Sequence, residues 1–436
     1  MADFTPHTEA DIAAMLEFCG LGSLDELWTT IPTAIRLASG DLPVAPGLSE
    51  PDTLAEFGRL AGANRDLVCF AGGGAYDHDV ASVVRRVAFR AEYVTAYTPY
   101  QAEVAQGVLQ ALFEYQTMIA RLSGLPIANA SLYDGATATV EGVNLAVAAT
   151  ANQRVLVSAG VNPRTLEVVR TLAAGTRHEV EAVPLDASGS TAWPAPAPAG
   201  AVVVQYPNYL GVIEDLGRAR AAADAAGALL VVVMDPVAMG LLRSPGGLGA
   251  DVVVGEGQVF GTPLSFGGPY VGLFACRQEH VRRLPGRLVG ETVDVHGTTS
   301  YVTTLRTREQ DIRREKASSN VCTNQTLIAV CCAIQMGWLG ASGLREMALR
   351  CARGTRYTRE ALLAIEGVAP YVDGPVLREF AVRTPIAASE LVDRLTDEGF
   401  LAGIAVDDDA LLVAVTERRT REEVDRFAGA VAKVVR

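Results

Sequence analysis

The sequence has almost no lysine. Arginine carries nearly all of the fixed positive charge, and Lys316 and Lys433 are the only two lysines. A lysine that acts as a Schiff-base nucleophile can therefore lie at only these two positions. Lys433 falls in the last turn of a C-terminal helical pattern, where a cation beside the helix C-terminus is an ordinary surface choice. Lys316 lies in the polar helical stretch REKASSN.

Paired cysteines, long apolar runs and secretion signals are also missing. The seven cysteines form no CxxC pair, so the spacing indicates neither a zinc ribbon nor a disulfide framework. The start MADFTPHTEADIAAM has no basic segment followed by an apolar core. The longest apolar run, Ala228–Met234, is far too short to cross a bilayer. We therefore expect a protein of the reducing cytoplasm with no membrane partner.

Charge and motif content exclude further classes. The 436 residues carry a net charge of -13, whereas nucleic acids and anionic membranes bind basic faces. No GxSxG elbow of an α/β-hydrolase is present. The glycine-rich Gly255–Gly261 is one residue too long for a dinucleotide fingerprint, and Pro263 prevents the helix that should follow. Asp77-His78-Asp79 holds metal-type side chains, but adjacent residues rarely chelate one ion, so we expect no metal site.

The stretch around Asp235 and Gln258 is the most informative part of the chain. A buried-type strand ends at Asp235, and a second strand, Val252–Val254, ends in a glycine-rich turn. This is the layout of a pyridoxal-phosphate (PLP) enzyme, in which the Asp pairs with the pyridine nitrogen and a lysine past the second strand forms a Schiff base. Gln258 holds the place of that lysine. Because an amide is not a usable nucleophile, we expect no Schiff base here.

Strand and helix patterns alternate from residue 154 onward, which predicts an α/β fold with a mostly parallel sheet. Residues 1–80 read as an N-terminal helical segment and residues 81–325 as a large α/β domain. Residues 326–436 read as a linking helix and a small C-terminal α/β domain. The stretch after Leu284 is polar and irregular. The predicted strands of the sheet are 154–158, 179–183, 201–205, 228–234 and 251–255, with an antiparallel strand within 269–276.

A polar, aromatic corner lies at Tyr97–Glu103. Pro99 interrupts one helical pattern and can begin the next, so a helix-start turn with its cap residues explains the corner as well as a binding site does. A second loop, Asn129–Thr139, leads into an apolar helix. In a PLP enzyme the phosphate rests on exposed N–H groups at this junction, and without a cofactor the junction is a tightly packed helix start.

Five strings carry a family likeness. They are AYTPYQAEVAQG at 96–107, FEYQTMIARLSGLPIANASLYDGATA at 113–138, FGGPY at 266–270, RLPGRLVGETVD at 283–294 and SSNVCTNQ at 318–325. Together they resemble the P-protein of the glycine cleavage system, the PLP-dependent glycine decarboxylase. The resemblance spans nearly the whole chain. It implies a fold-type-I PLP-dependent transferase fold, with a mostly parallel sheet in the large domain plus a small C-terminal α/β domain.

Some bacteria split the P-protein into two subunits, and this chain resembles subunit 1, the amino-terminal (alpha) subunit, in its length. In subunit 2 the turn after the second strand has the pattern LHKTF…P…GGGGPG, whereas this chain has GQVFGTPLSFGGPY. Aligning the two turns places Gln258 where the Schiff-base lysine belongs. The resemblance therefore implies that the partner subunit holds PLP, in a heterodimer or an α2β2 heterotetramer. Asp235 and Gln258 then form a vestigial cofactor site.

The resemblance also implies a reaction. Glycine condenses with PLP on subunit 2, CO₂ leaves, and the aminomethyl group passes to the lipoamide arm of the H-protein. Because fold-type-I enzymes build active sites at subunit interfaces, we expect this chain to complete the partner's site and to be inactive alone. The expected contributors are Tyr97, Thr98, Tyr100, Gln101 and Glu103 in the TPYQAE string, with Ser318, Ser319 and Asn320 as a second choice that a helix cap also explains.

Two alternatives remain open at this point. One is an independent PLP enzyme that uses Lys316, which would give the purified chain the visible absorbance of a Schiff base. The other is a purely structural or regulatory partner subunit. For such a subunit, changes at the interface would alter stability without altering chemistry.

Overall fold

The computed structural model describes residues 6–37, 44–305, 317, 319 and 321–436. The chain divides into two compact units, Met1–Arg65 and Asp66–Arg436. The second unit begins ahead of the predicted boundary at residue 80 because β1 (Val68–Cys69) pairs in parallel with β13 (Phe400–Leu401) of the C-terminal region. This pairing ties the residues after Arg65 to the α/β part of the chain.

The first unit is helical, as its sequence pattern predicts. Helix α1 (Glu9–Cys19) begins with a capping box, in which Thr8 and Asp11 each accept a hydrogen bond from the other's backbone N–H. Helix α2 (Glu50–Gly62) begins at Ser49, whose hydroxyl accepts a hydrogen bond from a backbone N–H of the first turn. Both helices thus start at residues whose side chains satisfy otherwise unpaired N–H groups.

A seven-stranded sheet forms the centre of the second unit. Its strand order is β2-β8-β7-β6-β5-β3-β4, with β3 to β7 parallel and β8 antiparallel to both of its neighbours. The mostly parallel sheet and its antiparallel strand are as predicted. The strands are β2 (Ile127–Ala128), β3 (Arg154–Ser158), β4 (Glu179–Val183), β5 (Ala201–Tyr206), β6 (Leu229–Met234), β7 (Val252–Glu256) and β8 (Gly272–Cys276).

Helices cover both faces of this sheet. Successive residues of β5 point to opposite faces, so Val202 packs into one core and Val203 into the other. Both side chains are fully buried, which explains why the central strands are continuous apolar runs. Helices α5 (Gln106–Ser123) and α8 (Leu216–Ala226) supply the first core, and α6 (Gly135–Thr150) and α7 (Pro163–Thr176) supply the second.

A long kinked helix, α9 (Thr326–Leu363), leads from the sheet to the C-terminal region. Its kink is at Gly340, whose φ of 59° and ψ of -177° are not helical. By length and composition α9 could cross a membrane. Its buried side chains, such as Cys332 and Met347, instead pack into the core with α5 and α8. Two short helices, α3 (Ser82–Ala88) and α4 (Ala91–Val94), precede the polar corner.

The C-terminal region has its own four-stranded antiparallel sheet in the order β11-β12-β15-β14. Its core includes Phe380, Leu412 and Phe427, all fully buried, and the first and last of these belong to one apolar cluster. This is the predicted small α/β domain. Its elements are β11 (Ala369–Pro370), β12 (Glu379–Arg383), α10 (Ala388–Asp397), β14 (Ile404–Asp407), β15 (Ala410–Ala414) and α11 (Arg421–Val434).

The stretch after Leu284, which the sequence presents as irregular, contains an antiparallel hairpin. Strands β9 (Leu288–Val293) and β10 (Thr299–Thr304) pair along their full lengths. Gln106 of α5 fixes the hairpin, because its side-chain amide both donates to and accepts from the backbone of Tyr301, at 2.8 Å each. The expectation of an irregular segment was therefore wrong for these residues.

Candidate functional site

Asp235 and Gln258 lie where the carboxyl ends of the parallel strands meet, as predicted. Asp235 follows β6, and Glu256 is the last residue of β7. The two carboxylates line one cavity together with Arg378, which directly precedes β12. The cavity measures about 60 Å³. Cavities that bind small molecules typically measure roughly 300–1,000 Å³.

The carboxylate of Asp235 is neutralised from within the chain. Arg378 places its Nη2 atom 2.7 Å from Oδ2 of Asp235, and the Arg378 side chain is only 3% exposed. The second oxygen of Asp235 accepts a hydrogen bond from the backbone N–H of Val237 at 2.9 Å. Burial acts to lower the pKa of Arg378, but Asp235, Tyr76, Glu379 and Cys351 together raise the pKa above its usual value. Arg378 is therefore a permanent cation at the position where a pyridinium nitrogen would pair with Asp235.

A buried polar network holds Arg378 in place. Its guanidinium lies 3.5 Å from the centre of the Tyr76 ring, and Nη1 lies 2.6 Å from Nε2 of His78. The other ring nitrogen of His78, Nδ1, lies 2.5 Å from the carboxylate of Glu417. Burial lowers the pKa of His78, so the neutral ring accepts a hydrogen bond from Arg378 and donates one to Glu417.

One trio of metal-type side chains occurs in this network. The ligand atoms of His78, Cys351 and Glu417 lie within 4.8 Å of one another. Both nitrogens of His78 are already engaged in hydrogen bonds, and burial raises the pKa of the Cys351 thiol well above its usual range. The trio is therefore explained as part of the network around Arg378.

Gln258 is a buried structural residue rather than a replacement nucleophile. Its side chain is fully buried. The amide nitrogen donates to the carbonyl oxygens of Tyr76 at 3.0 Å and Thr262 at 2.8 Å, and the amide oxygen accepts from the N–H of Tyr76 at 2.9 Å. The amide thus ties the turn after β7 to the segment before α3.

Glu256 occupies the helix start that the sequence singles out as a phosphate position. Its carboxylate accepts hydrogen bonds from the backbone N–H groups of Gly135 at 2.9 Å, Gln258 at 3.0 Å and Val271 at 3.2 Å. Gly135 is the first residue of α6, so a negative charge here is favoured by the helix N-terminus. Burial nevertheless raises the pKa of Glu256 to about 7.

These residues do not fit PLP. The chain's own side chains satisfy each of the three anchor points of such a cofactor. Arg378 pairs with Asp235, Glu256 takes the helix N-terminus, and the amide of Gln258 is hydrogen-bonded in the turn where the resemblance expects a lysine.

The TPYQAE corner lies apart from this cavity, since none of its residues lines the cavity. Its side chains point outward: Tyr97 is 83% exposed and Tyr100 is 62% exposed. Gln101 and Glu103 are exposed as well, and Thr98 is half-buried. The corner thus presents aromatic and polar groups on the surface of the described chain. Its predicted role at an active site stays a prediction.

Arg287, which lies in the string RLPGRLVGETVD, brings three of the other strings together. Its guanidinium lies 5.3 Å from the centre of the Tyr100 ring in TPYQAE. Its Nη1 donates to Oδ1 of Asn324 in SSNVCTNQ at 2.9 Å. Asn324 in turn donates to the hydroxyl of Ser131 at 2.9 Å, which adds the loop before α6 to the cluster. The structure therefore brings these strings together in one cluster, which extends from the buried Ser131 to the exposed Tyr100.

The second-choice residues are placed only in part. Ser319 is buried, and its hydroxyl accepts a hydrogen bond from the N–H of Val321 at 3.1 Å. This is a local turn bond that uses Ser319 as a structural residue. Ser318, Asn320 and Lys316 lie outside the described residues.

Sequence reasoning missed four residues of these two sites. Arg287 and Asn324 lie inside strings that were already quoted, so a signal for them was present. Glu256 precedes Gln258 in the same turn, and its charge at the end of an apolar strand was also a signal. Arg378 had no local signal, because only the fold brings it to Asp235.

The chain is similar along its whole length to proteins of the glycine cleavage system. The profile of the family described as "Glycine cleavage system P-protein" matches residues 2–430. A relative from Desulforamulus reducens, named "Probable glycine dehydrogenase (decarboxylating) subunit 1", is 42% identical and the match covers 99% of each chain. A relative of the same name from Prosthecochloris aestuarii is 44% identical, with 97% of this chain and 98% of that protein covered.

Solved structures agree with these matches. The crystal structure of glycine decarboxylase (P-protein) of the glycine cleavage system, in inhibitor-bound form, matches with a TM-score of 0.93 and 44% identity, over 99% of this chain and 100% of that chain. Glutamate decarboxylase from Lactobacillus brevis matches with a TM-score of 0.67 at 13% identity, over 93% and 96% of the two chains, which indicates a shared fold alone. The resemblance and the fold-type-I fold predicted from the strings are thus confirmed. The chain belongs to the glycine cleavage system P-protein family.

Proposed function

We propose that this chain is subunit 1 of a two-subunit glycine dehydrogenase (decarboxylating) and acts only together with a PLP-bearing subunit 2. The assembly decarboxylates glycine and passes the aminomethyl group to the lipoamide arm of the H-protein. Relatives that match over nearly their whole length carry the subunit 1 name, which supports the identity of the subunit. We propose the cytoplasm as its compartment, which cell fractionation tests.

The observation that carries this proposal is the self-occupied site around Asp235. Arg378, Glu256 and Gln258 satisfy the positions that a PLP ring, phosphate and Schiff base would need. The cofactor of the assembly therefore belongs to another chain. Because subunit 2 supplies the PLP chemistry, this chain has two roles. It binds subunit 2, and it completes the active site of subunit 2.

The TPYQAE corner is the part of this chain that we assign to the composite site. Tyr97, Tyr100, Gln101 and Glu103 are all exposed, although aromatic side chains are usually at least partly covered. Among the described residues, their side chains have no hydrogen-bond partner. Free aromatic and polar groups of this kind suit a wet interface at which a small substrate and a lipoyl arm are positioned.

The first experiment compares the purified chain with its mixture with subunit 2. We expect the chain alone to show no visible absorbance of bound PLP and no glycine-dependent exchange of labelled bicarbonate. Both signals should appear in the mixture of this chain with subunit 2. They should differ there from the signals of subunit 2 measured alone. Absorbance and exchange in the lone chain would contradict the proposal and would direct attention to Lys316.

A second experiment tests the corner itself. The double variant Tyr100→Phe, Gln101→Leu removes a hydroxyl and an amide from the corner, and we expect turnover of the assembled enzyme to fall about tenfold, as loss of two hydrogen bonds would cause. The matched control is Gln110→Leu, at an exposed glutamine of α5. Unchanged kinetics in the double variant, with assembly intact, would remove the corner from the active site.

The same variants separate the alternative of a purely structural or regulatory subunit. In that case the corner variant would weaken association with subunit 2, measured by sedimentation, and turnover at saturating subunit 1 would equal that of the wild type. A change in turnover at saturation supports a contribution to the reacting site instead.

A further inference from the structure

We propose that Arg287 binds an anionic group, a carboxylate or a phosphate, in the composite active site of the assembled enzyme. This inference rests on the proposed function and deepens it. The two anions available there are the carboxylate of glycine and the phosphate of the PLP that subunit 2 carries. Both are planar or trigonal arrays of oxygens that a guanidinium recognises through paired N–H groups.

The backbone of Arg287 is held firmly in place. The carbonyl oxygen of Pro285 accepts a hydrogen bond from the side chain of Asn129 at 3.0 Å, and the carbonyl oxygen of Arg287 accepts one from the N–H of Ala130 at 2.8 Å. Gly286, between them, has a φ of +70°, and an added Cβ would lie 3.2 Å from Leu132. A bulkier residue is thus disfavoured at Gly286, and the segment is anchored on both sides.

The side chain of Arg287 is positioned but largely unused. Toward acceptors in the described part of the chain, only Nη1 donates, at 2.9 Å to the Oδ1 atom of Asn324. Asn324 is itself fixed by its donation to the carbonyl oxygen of Ala130 at 3.1 Å and to the hydroxyl of Ser131 at 2.9 Å. A guanidinium has five N–H donors, so most of those of Arg287 have no acceptor within the described residues.

Arg287 also lacks an acidic partner among the described residues, although it is half-buried. The two arginines with the most buried side chains of the described ion pairs, Arg378 and Arg419, contact the carboxylates of Asp235 and Asp77 respectively. Arg287 has a neutral amide and an aromatic ring as its neighbours instead. A sheltered cation with this surrounding has its charge available for an anion from outside the chain.

Arg287 lies beside the corner that we assign to the composite active site. The ring of Tyr100, 5.3 Å from the guanidinium, belongs to the exposed corner that we assign to the interface. An anion bound by Arg287 would therefore lie near the Tyr100 ring of this corner. The chain has a net charge of -13, so anions reach this point because of a local cation and not because of the overall charge.

The test uses the assembled two-subunit enzyme with Arg287→Met in this chain. Loss of a charged hydrogen-bonding group should weaken binding of its anion about tenfold or more. The Michaelis constant for glycine and the dissociation constant of PLP from the complex, measured by fluorescence titration, are the two readouts. A higher glycine constant identifies the carboxylate as the ligand, and weaker PLP binding identifies the phosphate. Arg170→Met, at an exposed arginine of α7, is the matched control and should change neither constant.

Assembly of the complex is measured in parallel by sedimentation, with Arg287→Lys as a second variant. Lysine keeps the charge and loses the paired N–H geometry, so we expect it to recover part of the lost affinity. If both constants stay at their wild-type values in a fully assembled Arg287→Met complex, the inference is wrong. It is also wrong if Arg287→Met prevents assembly and Arg287→Lys assembles with normal constants, because Arg287 then pairs with a carboxylate of subunit 2. The wild-type assembly is measured in the same assay. If it is active, the proposed function holds, and a negative result then concerns Arg287 alone.

Discussion

Replacement of Arg378 by methionine is the sharpest test of the self-occupied site. Methionine fills a similar length of cavity and can still pack on the Tyr76 ring, but it removes the charge that faces Asp235. The carboxylate of Asp235 is only 14% exposed and would remain without a cation. The ring of His78 would also lose a hydrogen bond of 2.6 Å.

The magnitude follows from these contacts. Removal of one partner of a buried ion pair costs about 3–5 kcal/mol, because the remaining charge is left desolvated. The hydrogen bond to His78 adds about 1 kcal/mol. We therefore expect Arg378→Met to lower the free energy of unfolding by about 4–6 kcal/mol. Asp235→Asn in the same background removes the orphaned charge, so the double variant should recover most of that loss.

Urea denaturation of the lone chain, followed by circular dichroism, measures these differences. The quantity that tests the prediction is the coupling free energy between the two substitutions, which should be at least about 2 kcal/mol. A loss below about 1 kcal/mol in Arg378→Met, or purely additive effects in the double variant, would refute the view that Arg378 is the counter-charge of Asp235.

Three further predictions follow from the same structure. In Gln258→Lys, the lysine returns but Arg378 and Glu256 still fill the site, so incubation with PLP should produce no stoichiometric visible absorbance; such absorbance would contradict the self-occupied site. The pKa of Glu256 is raised to about 7, above the 4.5 of the free side chain, so the folded state holds this proton more tightly and loses stability as pH rises. Urea denaturation should show the wild type losing about 1.4 kcal/mol per pH unit relative to Glu256→Gln between pH 5 and pH 7, and a pH-independent difference would be inconsistent with burial of this carboxyl. Gly340→Ala should destabilise the chain by about 1–3 kcal/mol in thermal denaturation, because the backbone at this kink is open essentially to glycine only. Gly337→Ala in the same helix has helical backbone and space for the methyl group, so it should instead stabilise the chain by up to about 1 kcal/mol.

The central sheet was predictable because burial on both faces makes each strand a continuous apolar run. Strand 154–158 is found with the predicted bounds, and strand 201–205 gains only Tyr206. The hairpin of β9 and β10 was missed for the opposite reason, since its strands are largely polar and its turn has no typical two-residue hairpin signal. Strands that pair on the solvent-exposed side of a protein have no continuous apolar pattern, so the sequence does not indicate them.

The residues of the candidate sites also differ in whether the local sequence indicates them. Asp235 and Gln258 could be found because each lies at the end of a strand, and the strand identifies the place. The ion pair to Arg378 could not be found, because it joins the large sheet to a residue before β12 of the small domain. The Arg287–Tyr100 contact likewise joins strings that are far apart in sequence. Local patterns therefore predicted where Asp235 and Gln258 lie in the fold and could not predict which side chains contact them.

The surroundings of Asp235 show how a chain can pair a sheltered carboxylate with its own side chains. A buried carboxylate cannot stay ionised without a cation, because desolvation would force it to take up a proton or to unfold the site. In this chain Arg378 supplies that charge, with its Nη2 atom 2.7 Å from Oδ2 of Asp235. Retention of the aspartate in a fold-type-I chain is therefore no sign of cofactor binding by itself. An arginine that faces the aspartate gives the carboxylate a structural role of its own, because removal of either partner leaves the other charge desolvated.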